Sequence, residues 1–192
     1  MKKLTFLFVT SYAVAVSLSL SLRAQTPNDG PEYVNGTNLV RPVNYREWMF
    51  LGSGLGMTYE PPASAQAAPL FGNVFVNPSS YRRFMQTGSW PDRTVFILEF
   101  RNSSSEASIN KSGRFQTELT GVEAEVKDAR FPDGWAYFNF GESQSAPPLA
   151  GERVARCIEC HTKNTAVERT FVQFYPTLLE VARRRGTLKP GF

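Results

Sequence analysis

The sequence predicts an α+β domain, in which a mainly antiparallel β-sheet carries packed helices and a cysteine-containing functional segment lies near the C-terminus. Strand-like segments follow one another with short links, without the strand–helix–strand alternation that builds parallel sheets. From Arg153 onward, the apolar residues change to helical spacing. The 192 residues, of which 42% are hydrophobic and 13% aromatic, are sufficient to form one packed domain.

The first residues have the features of a secretory signal peptide. Residues 1–3 are a short positive segment, residues 4–22 are apolar or small, and Ala24 is a small residue at the expected cleavage site. The serines of this stretch and Arg23 favour cleavage over retention as a membrane anchor. We therefore expect residues 1–24 to be removed, and the mature chain to be periplasmic or secreted and free of the membrane.

The charge balance of the mature chain excludes one class of partner. Cleavage removes three of the 21 basic residues, which leaves 18 basic residues against 17 acidic residues and a net charge of +1. A nucleic-acid-binding protein would carry a marked basic excess. We therefore expect no nucleic-acid partner.

The first half of the mature chain predicts an extended segment followed by strand and linker. Residues 25–42 are rich in Pro, Asn and Gly and predict an extended lead-in to a domain over 43–192. A helical turn is expected at 45–48. Glycine alternates with larger residues over 52–59, which predicts a strand that a bulky group approaches closely. An Ala/Pro linker follows over 61–69.

The next segments predict one strand and one helix. Residues 71–76 are apolar enough for a second strand. Pro78 suits the first position of a helix over 78–87, because Asn77 can cap its start and Gly88 can end it.

The second half predicts three further strands and a closing helix. Residues 94–100 are the strongest strand pattern in the chain, and a Ser/Asn-rich surface loop is expected over 102–112. Apolar residues alternate in the strand predicted over 115–127, and another strand is predicted over 135–140. The closing helix is expected to begin at Pro176.

One motif has a specific chemical meaning. Cys157, Cys160 and His161 form the C-x-x-C-H pattern of c-type haem attachment. Two thiols three positions apart can each add to one vinyl group of the same haem, and the adjacent histidine then becomes the proximal iron ligand. The chain has no other cysteine or histidine. We therefore predict one covalent haem c, with thioethers from Cys157 and Cys160 and axial ligation by His161.

The motif has three alternatives to haem attachment. A structural zinc site would need a further ligand, and no second Cys/His pair exists. A thioredoxin-like redox pair should follow a strand inside a strand–helix–strand unit, which this segment does not do. A short disulfide between the two cysteines would form where haem is not loaded.

The position of the motif predicts the coordination of the iron. No methionine follows His161, and the methionines of the mature chain (Met49, Met57 and Met85) all precede it. We therefore expect five-coordinate iron with an open distal side. The alternative is an electron-transfer cytochrome with Met57 or Met85 as sixth ligand. A haem peroxidase is disfavoured, because the chain lacks a distal histidine.

An ordered set of segments resembles the cytochrome P-460 family and, in character, its relative cytochrome c′-beta. The set comprises 45–48, Trp90-Pro91-Asp92, 134–137, 157–161 and 171–176. The resemblance implies an antiparallel sheet that carries a c-type haem in the bacterial periplasm, commonly as a homodimer. It also implies a small nitrogen oxide or diatomic gas as ligand, and a periplasmic redox partner is a further expectation.

The departure from the family pattern bears on the reaction. The hydroxylamine-oxidising members have a lysine bonded to the haem, donated from the strand region upstream of the Trp-Pro-Asp segment. In this sequence, no lysine occurs between Lys3 and Lys111. The resemblance is therefore to cytochrome c′-beta, and we expect reversible binding of nitric oxide with little oxidation of hydroxylamine. A hydroxylamine or nitric oxide oxidoreductase is the enzymatic alternative.

Strand phenylalanines and two carboxylates are the candidate distal residues. Phenylalanine caps the distal side in relatives without the cross-link, and the candidates are Phe71, Phe75 and Phe96; the alternative for each is an ordinary core position. Asp92 lies where the oxidising relatives hold an acidic residue. Glu99 is a second candidate, because it is a carboxylate among apolar residues of the strongest strand. A salt bridge from Glu99 to Arg101 or Arg82 is the structural alternative.

Overall fold

The chain forms two antiparallel sheets and three α-helices within residues 28–58 and 68–192, the ranges that this computed structural model describes. The small sheet has the order β1 (Tyr33–Val34), β2 (Asn38–Val40) and β8 (Ser145–Ala146). The large sheet has the order β3 (Met49–Leu55), β4 (Phe71–Val76), β5 (Thr94–Ser104), β6 (Phe115–Lys127) and β7 (Trp135–Asn139). The helices are α1 (Pro78–Thr87), α2 (Gly151–Lys163) and α3 (Pro176–Arg185). The predicted α+β class is confirmed.

Most of the predicted elements are present, with some changes at their ends. The strands at 71–76 and 115–127 and the helix at 78–87 have the predicted bounds. The loop predicted to begin at Asn102 begins later, because Ser103 and Ser104 still pair with β6. The expected signal peptide and most of the Ala/Pro linker lie outside the described residues. None of the helices within these ranges is long and apolar enough to cross a membrane.

Helix α1 is capped from a distant segment rather than by the expected residue. Asn77 occupies the N-cap position, but its side-chain oxygen accepts the Val95 N–H at 2.9 Å. The Ser79 N–H in the first turn, which has no acceptor within the helix, instead donates to the Asp29 carboxylate at 2.7 Å. At the other end, Gly88 has a φ of 74°, which favours glycine, and its N–H donates to the Phe84 carbonyl. The lead-in segment is thereby fixed to the helix.

The large sheet separates two apolar cores. Residues that face each other in an antiparallel pair point to the same side of the sheet, and residues along a strand alternate. Val95 and Ile97 therefore point to the side covered by β2 and the 3-10 turn Tyr45–Glu47, which we call the N-terminal face. Phe96 points to the side covered by α1 and α3, which we call the helical face.

A buried carboxylate organises the N-terminal face. Glu99 is 2% exposed and accepts hydrogen bonds from Arg46 at 2.8 Å, from Asn73 at 3.1 Å and from Arg101 at 2.6 Å. The Tyr45 hydroxyl donates a further bond. Burial alone would raise the pKa of Glu99, but these hydrogen bonds hold it at about 2.

We predict that Glu99 makes the fold acid-sensitive. Because the pKa of Glu99 is lower in the folded chain than its usual 4.5, its contribution to stability is present above about pH 4.5 and is lost as the pH falls towards 2. The maximum contribution is about 3 kcal/mol. In urea unfolding between about pH 5 and about pH 2.5, Glu99→Gln should lose less unfolding free energy than the unmodified protein. Glu106→Gln, in the exposed loop after β5, should keep the original pH dependence. Equal pH dependence in Glu99→Gln and the unmodified protein would contradict this role.

Candidate functional site

Helix α2 places the two cysteines and the histidine on one side. Cys160 and His161 follow Cys157 by three and four residues, so the three side chains lie on the same helix face. Val154 and Ile158 share this face, and all five residues are partly buried while the others are exposed. Both thiols are free. None of the thirteen residues of α2 is fully buried, so the protein covers this face only in part.

Contacts on several sides fix the orientation of the His161 ring. Its Nδ1 lies 2.8 Å from the Arg169 carbonyl oxygen and 3.1 Å from Glu125 Oε1. The rings of Tyr137 and Phe171 contact it edge to face, with centroids at 4.9 and 4.8 Å. When the Nδ1–H donates to the carbonyl, the lone pair is on Nε2. Nε2 is therefore the nitrogen that can bind a metal.

The carbonyl that accepts this hydrogen bond lies in an anchored turn. Val167 and Thr170 pair across the turn, and between them Glu168 has a φ of 50°. The Glu168 carboxylate accepts bonds from the Trp90 N–H at 3.1 Å and from Lys127 Nζ at 2.6 Å. Trp90 Nε1 donates to Thr170 Oγ1 at 2.8 Å. The position of the imidazole therefore depends on contacts between this turn, the end of β6 and the segment after α1.

The surroundings of His161 perturb several acidic groups. Burial raises the pKa of Glu125, although the nearby His161 opposes the shift. Burial alone would lower the pKa of His161, but the Glu125 carboxylate raises it. Burial also raises the pKa of Tyr137. Burial and, after it, the negative charge of Glu123 raise the pKa of the Cys157 thiol.

The helical face of the sheet has an apolar area around Phe100 in which both cross-strand neighbours are glycines. Gly72 and Gly121 flank Phe100 in the register of β4, β5 and β6. A Cβ atom at Gly72 would lie 3.5 Å from Leu98, and one at Gly121 would lie 3.7 Å from Phe100. The Leu98 and Phe100 side chains therefore lie beside the two glycines, and the area is an apolar surface without Cβ atoms at these two positions.

The donor set and this surface fit a haem. Cys157 and Cys160 have the spacing for two thioether bonds, and His161 offers Nε2 as an axial ligand. The glycine-flanked area is on the same face of the sheet as Glu125 and hence as His161. A c-type haem would use two thioether bonds and an axial nitrogen ligand, and these residues can supply both.

The structure divides the three candidate phenylalanines between the two faces of the large sheet. Phe96 is on the helical face, but it is buried against Trp90 at a centroid distance of 4.7 Å. Phe71 and Phe75 alternate with residues of the helical face and therefore point to the N-terminal face, where Phe75 contacts Tyr45. Only Phe96 thus shares a face with His161, and it belongs to the core there. The sequence also predicted a glycine-rich strand that a bulky group approaches closely. This strand is β3, where the Tyr175 ring lies 3.4 Å from the position that a Cβ atom on Gly52 would occupy.

The two candidate acids are also placed away from His161. Asp92 is in the exposed turn before β5, where Oδ1 accepts the Ala129 N–H at 2.8 Å. Glu99 lies on the N-terminal face and forms the ion pair with Arg101 that the sequence offered as the structural alternative. The physical reason for its placement is strand alternation, which puts Glu99 on the side opposite Phe96.

Three residues that contact His161, and Glu123 on the same face of β6 as Glu125, were not among the sequence candidates. Glu123 and Glu125 alternate with Val122, Ala124 and Val126 in β6, so the sequence pattern could have placed both carboxylates on one face. Tyr137 lies in a segment that carries the family resemblance. Arg169 had no sequence feature to distinguish it, because its role depends on the turn after α2.

Comparison with known protein families identifies a match for most of the described domain. A family model described as cytochrome P460 matches residues 42–172, which is more than half of the chain. Among curated proteins, no sequence matches it. The matched range includes the five strands of the large sheet, α2 and the turn that holds His161.

We predict that the Glu168 contacts stabilise the turn. In Glu168→Gln, Lys127 loses an anionic partner and the turn loses a charge-assisted hydrogen bond. The unfolding free energy of the purified protein, measured in urea, should fall by about 1 kcal/mol. Glu180→Gln removes an exposed helical partner of Arg184 and should cost less than about 0.5 kcal/mol. If the two variants are equally stable, the turn does not depend on this carboxylate.

Proposed function

The chain belongs to the cytochrome P460 family, and on this basis we propose that it is an exported mono-haem c-type cytochrome that binds nitric oxide or a related small nitrogen oxide. Family membership implies a haem-binding cytochrome. The observation that carries the finer proposal is the arrangement of Cys157, Cys160 and His161 on one face of α2, with His161 Nδ1 held by the Arg169 carbonyl. In the proposal, the thiols form the thioethers and Nε2 is the proximal ligand.

The proposal assigns an open distal side to the iron. His161 is the only histidine in the chain. Met85 packs against the apolar core between α1 and α3. Lys127 Nζ is held by Glu168 and by the Trp90 carbonyl. When bound, the haem supplies an iron that takes a small diatomic ligand at a free position. The chain's residues anchor and orient it and exclude competing side chains.

The lysines support a haem without a lysine cross-link. No lysine occurs between Lys3 and Lys111. Lys163 pairs with Glu159, and Lys189 donates to Thr162 and Thr165. An unmodified macrocycle favours ligand binding over oxidation of hydroxylamine in this proposal. Export is proposed from residues 1–24 alone.

One observation favours a second candidate function, electron transfer. The exposed side chain of Met57 lies directly over Gly54, which pairs with Gly72 and therefore faces the helical side. Its thioether is on the same side of the sheet as His161. A methionine sulfur as sixth ligand would give a low-spin iron suited to electron transfer.

We predict that optical spectra distinguish these functions. The resting ferric protein should have a high-spin, five-coordinate spectrum, which nitric oxide changes reversibly. With hydroxylamine and an artificial oxidant, sustained turnover should be absent. A low-spin resting spectrum that becomes high-spin in Met57→Leu would favour electron transfer instead.

Two acid variants test the enzymatic alternative. Asp92→Ala removes the sequence candidate, and Glu123→Gln removes a carboxylate on the same face of β6 as Glu125. If hydroxylamine turnover occurs and collapses in either variant, the protein is an oxidoreductase and that carboxylate acts in proton transfer. Absence of turnover in all three proteins supports the binding function.

A further inference from the structure

Among the described residues, three buried polar atoms without a hydrogen-bond partner belong to residues that contact the His161 ring. In the part of the chain that the structure describes, these side-chain atoms are Glu125 Oε1, the Tyr137 hydroxyl oxygen and Arg169 Nη1. All three residues adjoin His161. Buried groups of this kind are costly and mark sites where charge has a function. Glu99, by contrast, has hydrogen bonds to both of its carboxylate oxygens.

We propose that Glu125 is a positioning residue that tunes the iron through His161. Its Oε1 lies 3.1 Å from Nδ1, beside the carbonyl oxygen that accepts the Nδ1–H. In its ionised form, the carboxylate is a second, anionic neighbour of the same proton. This inference rests on the proposed ligation of iron by His161 Nε2, and it assigns Glu125 no contact with the gas ligand.

The electronic effect follows from the charge of this neighbour. A negative charge beside the Nδ1–H increases the electron density that the imidazole donates through Nε2. The proton stays on Nδ1, so no proton transfer is required. A more electron-rich ligand stabilises ferric iron more than ferrous iron, because ferric iron carries the larger positive charge. Glu125 should therefore lower the reduction potential and strengthen the iron–histidine bond.

The fold holds Glu125 in this position. It lies in β6, where β5 and β7 flank it, and its cross-strand neighbours are Phe96 and Tyr137. Its side chain is 13% exposed, and its Oε1 atom is buried. The positive charge of Arg169 acts on both Glu125 and Tyr137, which offsets the cost of the buried carboxylate.

The experiment compares three variants of the haem-loaded protein. Glu125→Gln removes the charge and keeps the size of the side chain, while Glu125→Asp keeps the charge but moves it away from Nδ1. Glu159→Gln is the matched control, because it removes a carboxylate within the haem motif that is 64% exposed and paired with Lys163. The readouts are the reduction potential and the iron–histidine stretching frequency of the ferrous protein, measured by resonance Raman spectroscopy.

We expect Glu125→Gln to shift the potential upwards and the stretching frequency downwards. Glu125→Asp should shift both in the same direction by a smaller amount, and Glu159→Gln should leave the frequency unchanged. If the unmodified protein shows the iron–histidine band and both Glu125 variants leave it unmoved, the inference is wrong while ligation by His161 stands. Absence of the band in the unmodified protein would contradict five-coordinate ferrous iron bound by His161, and with it the proposed function. If Glu125→Gln does not load haem, Glu125→Asp alone tests the inference, and an unshifted iron–histidine stretching frequency in that variant would contradict it.

Discussion

The hydrogen bond from His161 Nδ1 to the Arg169 carbonyl determines what this site can do. It selects the tautomer in which Nε2 is available, and it orients the ring between Tyr137 and Phe171. The carbonyl is in turn positioned by a turn whose Glu168 side chain is tied to Lys127 and to the Trp90 backbone. The ligand geometry therefore depends on contacts between α2, the end of β6 and the segment that follows α1.

The large sheet assigns different roles to two carboxylates of neighbouring strands. Glu99 points to the N-terminal face, where hydrogen bonds from several donors hold its pKa at about 2. Glu125 points to the helical face, where burial raises its pKa and one oxygen has no hydrogen-bond partner in the described ranges. Glu99 has the partners of a stabilising residue, whereas Glu125 lies against the ring of the proposed iron ligand. Different segments pack over the two residues, because the lead-in packs on the face of Glu99 and the helices pack on the face of Glu125.

The sequence was sufficient to predict the elements that depend on local pattern. Two such patterns are the spacing of Cys157, Cys160 and His161 and the alternation of apolar residues in β6. The order of the strand and helix patterns predicted the α+β class, and the structure agrees with it. The face that each strand residue occupies could not be predicted for Phe75 or Glu99, because strand alternation does not indicate which segments cover each side. The role of Arg169 depends on a turn whose anchors, Trp90 and Lys127, are distant in sequence.

Covalent attachment of haem to α2 is the central claim, and acid–acetone extraction of the purified haem protein tests it most directly. The account predicts that the colour stays with the protein, and that the mass of the peptide with Cys157 and Cys160 increases by one haem. Replacement of both cysteines by serine should release the haem into the acetone phase. Extraction of haem from the unmodified protein, or a mass without the added group, would contradict the account.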